Sequence, residues 1–140
     1  DLQWRVETWI HLLDRGAQRL QRFHGIFRVT RHPVLWGIGL WALAHLLANG
    51  DQASIVLFGA LAILAFGGML AVDAKRARTM GAKWGPLAMT TSIIPFMAIL
   101  EGRTRFDWPG IGWRRLGIAL AAFLLLMLGH PYFAGVPLIN

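Results

Sequence analysis

ASIVLFGALAILAFGGMLAV, residues 53–72, is the stretch that decides the fold. It runs without a charge between Asp51 and Asp73. At about 1.5 Å of rise per residue it reaches about 30 Å, the thickness of a bilayer's hydrocarbon core. A soluble core helix rarely needs such length, so this segment is expected to be a transmembrane helix. Gly59, Gly67 and Gly68 supply faces for close helix packing.

Upstream, Asn49-Gly50-Asp51 signals a tight turn. The apolar residues 33–48 before it therefore pair with residues 53–72 as an antiparallel hairpin. Pro33 suits the first turn of a helix, where its missing N–H matters little. Downstream comes a basic stretch with Lys75, Arg76, Arg78 and Lys83. Residues 116–129 form another uncharged run, a last span ending near His130, followed by a short tail. Trp108-Pro109-Gly110 reads as a surface turn ahead of it.

The apolar run 84–100 is interrupted by Pro86, Pro95 and Thr90-Thr91-Ser92. Basic residues flank it on both sides, including Arg103, Arg105, Arg114 and Arg115. The positive-inside rule wants both flanks on the cytoplasmic side. A broken, re-entrant or interfacial segment satisfies that demand, provided it lines a cavity or is buried by protein. An ordinary fourth span is the alternative reading.

The composition agrees with a small membrane domain. Of the 140 residues 56% are apolar, and the mean hydropathy is +0.50. The net charge of +7 comes from blocks beside the apolar runs. That placement suits anionic lipid headgroups and argues against nucleic acid as a partner. With no cysteine in the chain, disulfides, thiol nucleophiles and iron–sulfur clusters are excluded. No Walker loop, dinucleotide fingerprint, nucleophile elbow or HExxH motif occurs. The chain begins at Asp1 rather than Met, as a processed product or a portion of a longer protein would.

Residues 1–24 read as an amphipathic helix. Leu2, Val6, Trp9, Leu13, Ala17 and Leu20 form a stripe, and Arg5, Arg15, Arg19 and Arg22 mostly lie off it. Such a helix lies in the membrane interface or packs on a further portion of protein.

Histidines are the plausible metal ligands. His11 reads as a headgroup contact and His24 as a helix C-terminal partner. His32 stands at the mouth of the first span, as a polar cap or a site residue. His45 falls about 18 Å along that span from Pro33, and an ionisable residue inside a span is a functional candidate by default. His130 falls about 22 Å beyond Arg115 on its own helix. The two reach similar depths, as a six-coordinate haem would require, although His130 also reads as an interfacial residue. His32 and His45 are about 20 Å apart on one helix and cannot share an iron.

Arg28, Arg31, His32, Arg76 and Arg103 gather at segment ends on one side, next to Asp73 and Glu101. Some of these charges should pair with the two carboxylates. The remainder would form a rim suited to lipid phosphate or a haem propionate; a plain positive-inside anchor is the other reading. Thr90, Thr91 and Ser92 either repair backbone groups freed by proline or line a ligand site.

Gly25-Ile26-Phe27-Arg28-Val29-Thr30-Arg31-His32-Pro33, Trp41-Ala42-Leu43-Ala44-His45-Leu46, Phe58-Gly59, Asp73 with Arg76, Thr91-Ser92-Ile93-Ile94-Pro95-Phe96, Glu101-Gly102-Arg103 and His130-Pro131 follow in order along the chain. Together they resemble the NnrU family of integral membrane proteins, which includes zeta-carotene isomerase. The resemblance implies haem b held by His45 and a second histidine: His130, His24 or one from a helix outside this chain. It implies isomerisation of a polyene, or a redox-linked part in nitrogen-oxide respiration. The stretch from Arg31 to Gly37 is also similar to isoprenylcysteine-type membrane methyltransferases, whose glutamate-rich cofactor motif has no counterpart here.

The expected fold is thus an all-α membrane protein. It has three transmembrane helices, one broken or fourth spanning segment, and an amphipathic arm over residues 1–24 before the transmembrane domain 25–140. The candidate site residues are His45 and His130 as metal ligands, with His32, Arg31 and Arg103 as further cofactor contacts. The expected location is a bacterial inner membrane, N-terminus cytoplasmic and C-terminus outside. An accessory subunit of a larger membrane complex is the non-catalytic alternative.

Overall fold

The computed structural model describes Glu7 and residues 24–135, and every regular element among the latter is helical. In order they are α1 (Ile26–Val29), α2 (Pro33–Ala48), α3 (Gln52–Met80), a 3-10 turn (Gly81–Lys83), α4 (Trp84–Thr90), α5 (Met97–Leu100), α6 (Trp108–Ile111) and α7 (Trp113–Ala134). The expected amphipathic helix over residues 1–24 lies outside the described residues except for Glu7 and His24, as does the tail beyond Gly135.

Helices α2 and α3 form the expected hairpin. Thr30 is extended, and Pro33 opens α2 in its first turn. At the other end the Asn49 backbone and side-chain amides both donate to the His45 carbonyl, at 3.0 and 2.9 Å. Asp51 then caps α3 by accepting from the Ser54 N–H at 2.9 Å. The two helices approach through small residues. Ala42 is wholly buried, Ala62 and Ala65 nearly so. The Phe66 ring lies so close to Gly39 that a Cβ there would stand 2.7 Å from it.

Residues 84–100 do not cross as a fourth span. The chain continues from α3 through the 3-10 turn into the seven-residue α4, then leaves helix at Thr91. It resumes only as the single turn α5 after Phe96, which sits at φ 65. The backbone exposed by this break finds partners across the molecule. Arg31 N–H donates to the Ser92 carbonyl at 2.9 Å, and Phe96 N–H to the Val29 carbonyl at 2.8 Å. The Thr30 hydroxyl and the Trp36 indole N–H both donate to the Ile93 carbonyl, at 2.7 and 2.8 Å. A broken segment, buried at Thr91 and Ser92 and with its free backbone groups paired by protein, therefore replaces a continuous helix.

The expectation of three full-length spans is corrected to two. The Gln52–Thr90 rod and α7, Trp113–Ala134, are long and apolar enough to cross a membrane. Helix α2 is apolar but only 16 residues long, about 24 Å. It is short because tertiary contacts hold Thr30, Arg31 and His32 out of helix, and the turn at Asn49 closes the other end. Helix α7 stands apart from this hairpin. None of its residues is buried, and it approaches α2 near its far end through His130.

Candidate functional site

Chemically distinct groups gather at opposite ends of the helices. Every Lys and Arg between residues 24 and 135 lies at the end where α2 and α7 begin and α3 finishes. His45 and His130 lie toward the other.

At the basic end, Asp73 is the centre of a buried cluster. Its Oδ2 accepts from Arg31 Nε at 2.7 Å and stands 2.7 Å from Arg31 Nη2, so both arms of the guanidinium converge on one oxygen. Its Oδ1 accepts from His32 Nε2 at 2.7 Å, and the His32 side chain is only 3% exposed. Arg31 Nη1 reaches the Thr91 carbonyl at 3.2 Å, and its guanidinium lies over the Trp84 ring at 5.4 Å. One carboxylate thus ties the start of α2 to α3, and one arginine extends the tie to the broken segment.

Arg103 clamps the segment from its other side. Its Nη1 donates to the carbonyls of Met89 at 2.6 Å and Thr91 at 3.0 Å, while Nε pairs with Glu101 at 2.6 Å. A hollow of about 240 Å³ opens between Arg31, Arg103, Thr91 and Ser92. Both guanidinium groups that face it are already paired with carboxylates and carbonyls. The hollow is therefore framed by two satisfied ion pairs.

A third tie was not legible in the sequence. Asp107 Oδ2 accepts the Gly25 N–H at 2.8 Å and Oδ1 the Gly110 N–H at 3.0 Å. Those two backbone donors hold its carboxyl below the usual range, with Arg28 and His24 contributing by charge. Gly25 needs its φ of +61 and has the Gly110 backbone 2.6 Å from where a Cβ would stand. The signal available was the Asp-x-x-Gly spacing, which marks a local cap and says nothing of Gly25, 82 residues away.

At the other end, His45 Nδ1 lies 2.9 Å from the Trp41 carbonyl. A carbonyl only accepts, so Nδ1 carries the proton and the Nε2 lone pair is left outward. Trp41 and Phe58 flank the imidazole, with ring centroids at 4.6 and 4.9 Å. The His130 ring centroid lies 6.1 Å from that of His45. The structure thus brings His45 and His130 together, and separately joins Arg31 to His32 and to the segment held by Arg103. His32, just before α2, stands about 20 Å along the helix axis from His45. A haem at the histidine end cannot use the basic end for its propionates. Among the described residues, no group of three or more His, Asp or Glu side chains could hold a metal ion.

The NnrU protein family profile matches residues 6–138. Two similar curated proteins are named chloroplastic 15-cis-zeta-carotene isomerase. The Arabidopsis thaliana protein is 40% identical over 98 residues, covering 66% of this chain and 26% of its own length. The Zea mays protein is 33% identical over 130 residues, covering 89% of this chain and 34% of its own length. The chain therefore spans between a quarter and about a third of the relatives it matches. No solved structure matches.

Proposed function

The chain belongs to the NnrU family, and from that premise we propose that it is a haem-binding membrane protein of the carotenoid-isomerase type, acting on an apolar polyene. The observation that carries the reading is the His45–His130 pair. Their ring centroids stand 6.1 Å apart, near enough for both imidazoles to serve one metal centre. His45 fits further because its Nδ1–H is engaged by the Trp41 carbonyl, a hydrogen bond of the kind that orients a histidine ligand and fixes its tautomer.

His45 and His130 would hold the haem, which when bound supplies a redox-responsive iron beside a double bond. The remaining work falls to the chain. Trp41 and Phe58 fix the His45 ring by tilted ring contacts. The exposed apolar flank of α7, including Leu124, Leu125 and Leu128, offers a polyene a surface without hydrogen-bond demands. No charged side chain occurs at this end between Ala53 and Val72 or between Leu116 and Ala134, so a neutral hydrocarbon is favoured over a charged substrate. A redox-linked part in nitrogen-oxide respiration would use the same pair. In the bilayer the basic end faces the cytoplasm by the charge rule, and the histidine end lies toward the outer face.

Purification of the full chain from haem-replete bacterial membranes tests the reading. A Soret band is expected, strongly weakened in His45→Ala and in His130→Ala and unchanged in His32→Asn if that variant folds. A colourless wild-type protein overturns it.

A second reading is favoured by α7, whose residues are all at least partly exposed. A non-catalytic subunit packed in a larger membrane complex would cover that helix. Comigration of the whole population with a large complex, without pigment, is the expected result there.

A further inference from the structure

We propose that Arg76 anchors an oxyanion site at the basic end, taking a phosphate group from a lipid headgroup or from a soluble phosphate compound. The buried residues of α3 are Ala62, Ala65, Met69 and Asp73, one stripe at spacings of three and four. Arg76 is the next position of that stripe. The residue is half-buried, and its Nη1 is buried without a hydrogen-bond partner. An unsatisfied charged donor is among the least favourable groups to bury, so native proteins pair it or bring a ligand to it.

Among residues 24–135 the carboxylates are committed elsewhere. Asp73, one turn before Arg76, has one oxygen on His32 and the other on both arms of the Arg31 fork. Glu101 is held by Arg103. Asp107 is held by the Gly25 and Gly110 N–H groups, with Arg28 and His24 beside it. Asp51 caps α3 at the far end. Lys75, Arg78 and Lys83 lie close to Arg76 in the sequence, and this run of positive charge attracts an anion.

Phosphate is the class that fits. Arginine's planar fork matches two oxygens of a phosphate at once. Arg76 also lies just past the end of the uncharged run 53–72, the level at which lipid headgroup phosphates meet a spanning helix. A haem propionate does not qualify. Phe58, which touches His45, is about 27 Å along α3 from Arg76.

The test uses the full chain in a neutral, phosphate-free detergent with two probes: phosphatidylglycerol, set against a phosphate-free galactolipid, and inorganic phosphate. Thermal unfolding and native mass spectrometry are read on wild type, Arg76→Met and Arg78→Gln. Wild type and Arg78→Gln should gain about 4 °C or more with a saturating probe. Arg76→Met should gain nothing and should bind the probe at least about tenfold more weakly. Without probe, Arg76→Met should be at least as stable as wild type, because it removes an unpaired buried charge. A purely structural arginine would give the opposite. A response to phosphatidylglycerol alone assigns the site to a headgroup, and a response to inorganic phosphate assigns it to a soluble compound. Should Met disturb folding, Arg76→Gln gives the same readout. No wild-type response to either probe, or an equal response in the Arg76 variants, overturns the proposal.

Discussion

Asp73→Asn is the sharpest perturbation of the basic end. The aspartate side chain is 12% exposed and its partners Arg31 and His32 are 11% and 3% exposed, so water cannot replace what is lost. Removing one partner of a buried ion pair costs about 3–5 kcal/mol, largely because the other charge is left uncompensated. Asparagine keeps one carbonyl oxygen, which recovers about 1 kcal/mol of hydrogen bonding, and Arg31 keeps the Thr91 carbonyl. The net expectation is a loss of about 3 kcal/mol, or about 6–12 °C in melting temperature for a domain of this size. Tryptophan fluorescence during thermal unfolding in mixed micelles measures it, since Trp36 and Trp84 sit against the segment that Arg31 holds. Arg31→Met combined with Asp73→Leu should recover at least half of the loss, because neither charge is then buried alone. A stability of Asp73→Asn within about 0.5 kcal/mol of wild type, the range of an ordinary surface change, would refute the assignment of this cluster as the tie between α2, α3 and the broken segment.

Two further outcomes are expected. Gly25→Ala should be strongly destabilising, since a Cβ there would meet the Gly110 backbone at 2.6 Å and φ is +61, whereas Gly37→Ala, with open space around it inside α2, should gain about 0.5–1 kcal/mol; paired melting curves check the contrast. The Asp107 carboxyl has its pKa lowered from 3.8 by the Gly25 and Gly110 N–H groups, so its contribution is complete above that value and is lost as pH falls through the depressed folded value. An acid titration of melting temperature should show a loss there that Asp107→Asn abolishes, and identical acid profiles for the two proteins would exclude the assignment.

The hairpin was legible because its signals are local. The uncharged run 53–72, the Asn49-Gly50-Asp51 turn and Pro33 each act on the residues beside them, and α2 begins and ends where those signals stand. The depth match of His45 and His130 was legible too, because helical rise converts sequence distance into height. Azimuth and approach were not, so that Phe58 against the His45 ring came only from the way α3 packs on α2. The third full-length span failed for a related reason. Hydropathy registers the apolarity of residues 33–48 but not the contacts that hold Thr30, Arg31 and His32 out of helix.

The sequence by itself determined that the chain is helical, where its charges segregate, which family it belongs to and which two histidines share a depth. All of these follow from residue identity and the fixed rise of a helix. Only the tertiary structure decided which charge meets which. Asp73 could have taken Arg76, one turn away on its own helix, yet it holds Arg31 and His32 from 42 and 41 residues away. The chain folds the broken segment onto residues 29–31, and that packing buries the pair. A buried carboxylate goes to the partners whose geometry satisfies both its oxygens, and that geometry exists only once the segments are in contact.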